Sequence, residues 1–180
     1  MIDSRLFLAR TEVSQTTAQH QSVDVAPELE KLREFFEATA GKAGIALEVN
    51  APAELIADLD STLVQRALAD LIENALAHTP RGGRVALRAS PENNALRIEV
   101  SDTGCGIAAE HLPHIFDNFY RADSARSKQT GGLGLGLAIV KSIATLHRGT
   151  VGLQSQPGMG TTVTLTFPLH HAPRHTITKS

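Results

Sequence analysis

Three groups of residues in this 180-residue chain carry side chains or backbone suited to chemistry. The first is Asp70-Leu-Ile-Glu-Asn-Ala-Leu-Ala-His-Thr-Pro80. On a helix, residues four apart share a face, so Asp70 and Asn74 point the same way. Asparagine is a mediocre helix former, and its place mid-helix asks for a reason. Its neutral amide oxygen suits Mg²⁺, which keeps several waters and binds phosphates at the same time. A side chain facing solvent, or bonded to a backbone carbonyl, accounts for it as well. The second group is Ser101-Asp-Thr-Gly-Cys-Gly-Ile107, directly after a strand pattern. Two glycines there permit close backbone approach, and a carboxylate at a strand end can accept from an exocyclic amine such as that of adenine. A plain Asp-Gly turn explains the same residues in isolation. The third group is Gly132-Leu-Gly-Leu-Gly-Leu137 at a helix start, where backbone N–H groups and the helix dipole favour phosphate oxygens. It is not a dinucleotide fingerprint: Leu137 stands where a third glycine is required, and a polar loop precedes it. No Gly-Lys-Ser/Thr of the P-loop type occurs.

Hydrophobic periodicity supplies the elements that must position these groups. Pro27 suits a first helical turn, and Glu28 to Ala40 reads as a helix with Leu29, Leu32, Phe36 and Ala40 inward, closed at Gly41 or Gly44. A short extended stretch near Ser22–Val25 precedes it, and Ile45–Val49 alternates as a strand. Asp60 or Ser61 caps the next helix, whose buried stripe is Leu63, Ala67, Leu68, Leu71, Ile72 and Ala75. Arg84–Ala89 and Ala95–Ser101 read as paired strands around Pro91–Asn94. A short helix is expected over Ala109–Phe116, a mobile loop over Arg121–Thr130, a helix over Leu137–Leu146, and strands at Thr150–Ser155 and Thr161–Pro168. This mixture predicts an α/β two-layer sandwich, with helices on one face of a mixed, mostly antiparallel sheet.

The bulk numbers exclude several classes. A 42% hydrophobic and 20% charged composition is that of an ordinary soluble globular domain. The net charge of -2 gives no electrostatic ground for a nucleic-acid partner. Cys105 is the single cysteine, so no intrachain disulfide forms, which suits a reducing compartment. No apolar run approaches the roughly 20 residues needed to span a bilayer, and no signal peptide is visible.

Together these residues resemble the GHKL superfamily, and specifically the catalytic domain of sensor histidine kinases. Asn74, Ala75, His78 and Thr79 match its N box, Asp102–Ile107 its G1 box, Phe116-Asp-Asn-Phe-Tyr-Arg121 its F box, Gly132–Leu137 its G2 box, and Gly160-Thr-Thr162 its closing G3 element. All five occur in the right order and spacing, and the likeness runs from about Val23 to Leu169. The run Ile115–Val140 is most similar to the heavy-metal (copper/silver-type) sensor kinases. The resemblance implies the Bergerat sandwich fold and Mg-ATP or ADP as the bound species. It implies that Asn74 ligates Mg²⁺, that Asp102 binds the adenine amino group, and that Gly104, Gly106 and Ile107 shape the adenine pocket. It places His78, Phe119, Tyr120 and Thr162 around the nucleotide, and Gly132, Leu133, Gly134, Leu135, Gly136 and Leu137 about the phosphates. Arg121 is similar to an arginine that meets the γ-phosphate. Catalytic roles fall on Asn74, Asp70 and Arg121.

Two departures from the family stand out. Ala77 occupies a position where Lys or Arg is frequent, leaving Arg121, Arg126 or Lys128 as substitutes, although solvated charge accounts better for the last two. Asp70 stands where the kinases usually have Asn and the related ATPases a water-activating Glu, so it either orders a metal-bound water, acts as a weak base for hydrolysis, or is a harmless variant.

None of the eight histidines matches the family's phosphoacceptor, which is followed by Glu or Asp on a helix. Surface or capping roles are expected for all of them, and a zinc site at His111 and His114 is disfavoured by Pro113 and the lack of partners. Residues 1–21 resemble the end of the dimerisation helix and a linker, residues 22–169 form the ATP-binding domain, and residues 170–180 are an expected disordered tail. The phosphoacceptor is then on a separate dimerisation domain of the parent protein, with a response regulator downstream. The chain alone is expected to be a monomer that binds ATP without phosphorylating itself, a cytoplasmic domain without membrane contact, its parent an inner-membrane sensor. A GHKL ATPase and a non-catalytic nucleotide-binding regulatory module are the competing readings.

Overall fold

The computed structural model describes residues 18–121 and 135–169. A strand β1 (Gln21–Asp24) leads directly into helix α1 (Val25–Ala43). Val25, Leu29, Leu32, Phe36 and Ala40 form its buried stripe, and Gly44, in the left-handed conformation, closes it. The helix thus starts before Pro27 and runs past Ala40. Proline is tolerated there because first-turn N–H groups have no intrahelical partner.

Strands β2 (Ala46–Asn50) and β3 (Ile56–Leu59) follow. The short β3 is absent from the sequence expectations, and it pairs antiparallel with β1, Gln21 opposite Leu59 and Asp24 opposite Ile56. Helix α2 (Ser61–His78) begins at Asp60, whose side chain accepts from the Leu63 N–H. Its buried residues are Val64, Ala67, Leu68, Leu71, Ile72 and Ala75, with Val64 rather than Leu63 filling the first core position.

Strands β4 (Arg84–Glu92) and β5 (Ala95–Asp102) form a hairpin. They pair as far as Glu92 opposite Ala95, so β4 runs through Pro91 and the turn contracts to two residues. Asn93 and Asn94 both have positive φ, 47° and 61°, the signature of a tight hairpin turn matched to strand twist. Only a single 3₁₀ turn, Leu112–His114, stands in the Ala109–Phe116 window. Pro113 inside that window removes a donor and clashes with the preceding turn, which explains the loss of an α-helix. Helix α3 (Gly136–Leu146) and strands β6 (Thr150–Gln156) and β7 (Gly160–Pro168) complete the order.

The main sheet has the order β2-β4-β5-β7-β6. β2 and β4 are parallel and every other neighbouring pair is antiparallel. Leu96, Ile98 and Val100 of β5 and Val163, Leu165 and Phe167 of β7 alternate with more exposed residues. Their buried side joins Ala67, Leu71 and Ile72 of α2 and Val140 and Ile143 of α3 in one core. The result is the expected two-layer α/β sandwich. Among the described residues no helix is long and apolar enough to cross a membrane. The expectations for residues 1–17, 122–134 and 170–180 lie outside the described residues.

Candidate functional site

α2 and α3 pack against one another, and the 3.6-residue period of α2 turns Asp70 and Asn74 toward the start of α3. A methyl group at Gly136, the first residue of α3, would lie 3.4 Å from the Asn74 amide nitrogen and 3.8 Å from Asp70 Cβ. The N-terminus of α3, whose first N–H groups have no intrahelical partner, therefore meets the Asp70–Asn74 face.

Asp102 sits at the end of β5, opposite Thr161 of β7. Its Oδ1 accepts from the Gly104 N–H at 2.8 Å and from the Thr161 N–H at 3.2 Å. The loop after β5 is fixed on two sides. The Cys105 N–H donates to the His78 carbonyl at the end of α2, 3.2 Å away. On the other side the Gly158 N–H donates to the Cys105 carbonyl at 2.8 Å, and the Ile107 N–H to Ser155 Oγ at 2.8 Å. A Cβ at Gly104 would lie 2.5 Å from the His78 carbonyl oxygen, so only glycine lets the loop approach the helix end. Gly160, at φ 91°, presses against the Asp102 carbonyl in the same way.

Two carboxylates of this site are held above their ordinary range. Burial raises Asp70 from 3.8 to about 6, with Arg66 opposing the shift and Glu73 adding to it. Its Oδ2 is buried with no hydrogen-bond partner among the described residues. Burial also raises Asp102, opposed by its bonds from Gly104 and Thr161 and by His78. A desolvated carboxylate without a donor is a costly arrangement in a folded protein. Asp70 and Asn74 together offer carboxylate and amide oxygens, the donor types that suit a hard divalent cation, and the orphaned Oδ2 is an acceptor that such a cation would satisfy.

The structure thus brings Asp70, Asn74 and Gly136 together at one edge, and sets Asp102, Gly104, Gly106 and Ile107 in the loop beside His78 at the end of α2. Thr162 lies in β7, paired with Ser101 and Gln154. Phe119, Tyr120 and Arg121 follow the 3₁₀ turn. Phe119 is 56% exposed with φ 64°, and the Tyr120 hydroxyl is 2.8 Å from His111 Nδ1. Gly132, Leu133 and Gly134, with Arg126 and Lys128, lie outside the described residues. Sequence reasoning missed Ser155, which also donates to the Gly160 carbonyl at 2.9 Å, and the Thr161 N–H; a strand serine two positions before a Pro-Gly turn is the only trace they leave. His147 is a correction: it is 2% exposed rather than a surface residue, although it does stand at the C-terminal cap of α3.

Residues 59–171 match the family of histidine kinase-, DNA gyrase B-, and HSP90-like ATPases. The sensor protein IrlS of Burkholderia pseudomallei is 43% identical over 172 residues, which is 96% of this chain and 37% of IrlS. The sensor histidine kinase CusS of Escherichia coli K12 is 38% identical over 168 residues, 93% of this chain and 35% of CusS. The chain therefore spans little more than a third of the length of these relatives. Among solved structures, full-length ShkA in complex with AMPPNP is similar at a TM-score of 0.79 and 26% identity, over 92% of this chain and 35% of that one. The nucleotide-free catalytic domain of the histidine kinase ThkA shares the fold at a TM-score of 0.74 and 21% identity, over 84% and 96% of the two chains.

Asp70 sets the sign of one pH effect. Its carboxyl is raised in the fold from 3.8 to about 6, so the folded state holds the proton more tightly than the unfolded one. The stability this gives is complete below about pH 4 and is lost as pH rises through about 6. Asp70→Asn is expected to raise the melting temperature of the nucleotide-free protein at pH 8, with the gain shrinking to nothing below pH 4. Parallel melting curves for the two proteins across that range would contradict a desolvated Asp70.

Proposed function

The chain belongs to the histidine kinase-, DNA gyrase B-, and HSP90-like ATPase family, and on that premise we propose that it binds Mg-ATP and passes the γ-phosphoryl group to a histidine on a separate dimerisation domain of a two-component sensor kinase. The observation that carries this reading is the convergence of Asp70 and Asn74 with Gly136, next to the glycine-shaped loop that holds Asp102. Sensor kinases among the relatives and the AMPPNP complex of ShkA support it.

In this reading the Asp102 carboxylate accepts from the adenine amino group while two backbone N–H groups fix its Oδ1. Gly104, Gly106 and Ile107, braced between the His78 carbonyl and Ser155, form the wall against the base. Asn74 holds Mg²⁺ through its amide oxygen, and the α3 N-terminus at Gly136 presents N–H groups to phosphate oxygens. Mg-ATP supplies the transferable phosphoryl group and the charge that neutralises its oxygens. Arg121 takes the place of the cation absent at Ala77, with Arg126 or Lys128 as the alternatives. His78, Phe119, Tyr120, Thr162 and the rest of Gly132–Leu137 complete the nucleotide's surroundings. Transfer depends on positioning, so this chain lowers the barrier by orientation and charge placement. The acceptor histidine belongs to the parent protein, an inner-membrane sensor whose cytoplasmic part includes this chain, and a separate response regulator acts downstream of it.

One observation favours a second, slower activity. The buried Oδ2 of Asp70, with no donor among the described residues, can orient a water or take its proton as the water oxygen bonds to the γ-phosphorus and the bond to ADP breaks, which gives ADP and phosphate when no acceptor histidine is present.

Calorimetry with Mg-ATP is expected to show binding by the wild type and at least tenfold weaker binding by Asn74→Ala and by Asp102→Ala, about 1.4 kcal/mol each. Labelled ATP is expected to leave no acid-labile label on the chain alone. Undiminished binding by both variants, or an acid-labile label, would overturn the assignment. For the second activity, Asp70→Asn is expected to lower ATP hydrolysis by at least about tenfold, toward the general-base range; an unchanged slow rate discards the hydrolytic role.

A further inference from the structure

α2 and α3 meet at two places that bear on the site. One is the approach of Gly136 to Asp70 and Asn74. The other lies at the opposite end of both helices, where His147 follows α3 and Asp60 precedes α2. The His147 ring is buried, and its Nε2 lies 3.0 Å from the Asp60 backbone nitrogen. A backbone N–H can only donate, so Nε2 is the acceptor and Nδ1 carries the proton, which it donates to the Ile143 carbonyl at 2.8 Å. Burial holds the imidazole below its ordinary 6.5, with the Ile143 carbonyl and Asp60 opposing and His20 reinforcing, so the ring is neutral and able to accept near pH 7. It stacks edge-on against Phe167 of β7, with centroids 5.5 Å apart, and lies 5.0 Å from the His20 ring.

Asp60 has a third attachment. Its Oδ1 caps α2 through the Leu63 N–H at 3.1 Å, while its Oδ2 accepts from the Gln19 N–H at 2.8 Å. Gln19 belongs to the segment that enters β1. One residue therefore ties the incoming chain, the start of α2 and the end of α3. Asp60 stands about 20 Å from Asn74 along the helix axis, at 1.5 Å per residue. A helix moves as a rod, so a shift or rotation at Asp60 arrives at Asp70 and Asn74 as a change in how that face meets Gly136.

We infer that Asp60 and His147 are positioning residues of the nucleotide site, forming a node through which the segment entering β1 at Gln19 sets the placement of the Asp70–Asn74 face against Gly136. The inference rests on the nucleotide-binding reading above. It gives that segment a means of tuning affinity for Mg-nucleotide without touching the ligand. The coupling is reciprocal: bound nucleotide tightens the bond between Gln19 and Asp60.

Three variants test the node. Gln19→Pro removes the N–H that Asp60 accepts. His147→Phe keeps an aromatic ring and removes the acceptor. His147→Gln keeps an acceptor near the Nε2 position. Mg-ADP affinity by calorimetry, the Gly136 amide shift by NMR in nucleotide-free protein, and urea stability are measured for each. Gln19→Pro and His147→Phe are expected to weaken Mg-ADP binding by roughly fivefold or more, the lower end of allosteric coupling, and to move the Gly136 resonance. His147→Gln is expected to recover most of both. The double variant is expected to be no worse than His147→Phe alone, because both changes act through Asp60. Loss of urea stability with affinity and Gly136 shift at wild-type values would reduce His147 to a packing residue and overturn the inference. Should His147→Phe not fold, Gln19→Pro decides alone, by the same two readings. A wild type that fails to bind Mg-ADP refutes the nucleotide reading instead, and the Gly136 shift still reports whether the node exists.

Discussion

The bond pair at Asp102 Oδ1 fixes the architecture of the site. To receive N–H groups from Gly104 on one side and Thr161 on the other, the chain after β5 must turn sharply, beside β7 and beneath the end of α2. That turn brings backbone against backbone at the His78 carbonyl and at Gln156, closer than any Cβ at Gly104 or Gly106 would allow. The same constraint orients the carboxylate. Oδ1 is taken by the two backbone N–H groups, and in the proposed function the carboxylate is the group that meets the base. The loop is thus tied between a helix end and a strand turn, and Asp102 is part of that unit.

Electrostatically the site is incomplete by itself. Burial disfavours the charged forms of both Asp70 and Asp102, and Asp70 Oδ2 has no donor among the described residues. Carboxylates arranged this way repel phosphates unless a cation intervenes, whereas the N-terminus of α3 attracts them. Under the proposed function that opposition would resolve when metal and nucleotide arrive together, with Asp70 and Asn74 facing the cation and the start of α3 facing the phosphates.

Much of the fold was readable from local pattern. The stripes of α1 and α2, the β4–β5 hairpin and the late β6–β7 pair follow from periodicity and turn chemistry. The ribbon of β1 with β3 did not, because Ile56–Leu59 has only four residues and its partner is more than thirty residues away. Parallel pairing of β2 with β4 is equally non-local. The N-box and G1 side chains were legible because their types are odd for their elements: an amide in mid-helix, and a carboxylate at a strand end before two glycines. Ser155 and Thr161 were not, since they act through a hydroxyl and a backbone N–H that any strand residue offers. His147 was misread for a related reason: spacing alone does not reveal that Asp60, 87 residues earlier, supplies the donor that makes burial tolerable.

The central claim is that one pocket joins the α2 face, the Asp102 loop and the start of α3. Paramagnetic NMR with Mn²⁺-ADP tests it most directly. Signals of Asp70, Asn74 and Gly136 should broaden first, while those of Asp102 and Gly104 shift with the base and remain visible. Broadening centred on another acidic surface, such as Asp24, Glu30 and Glu54 beside α1, with Asn74 and Gly136 unaffected, would contradict the account.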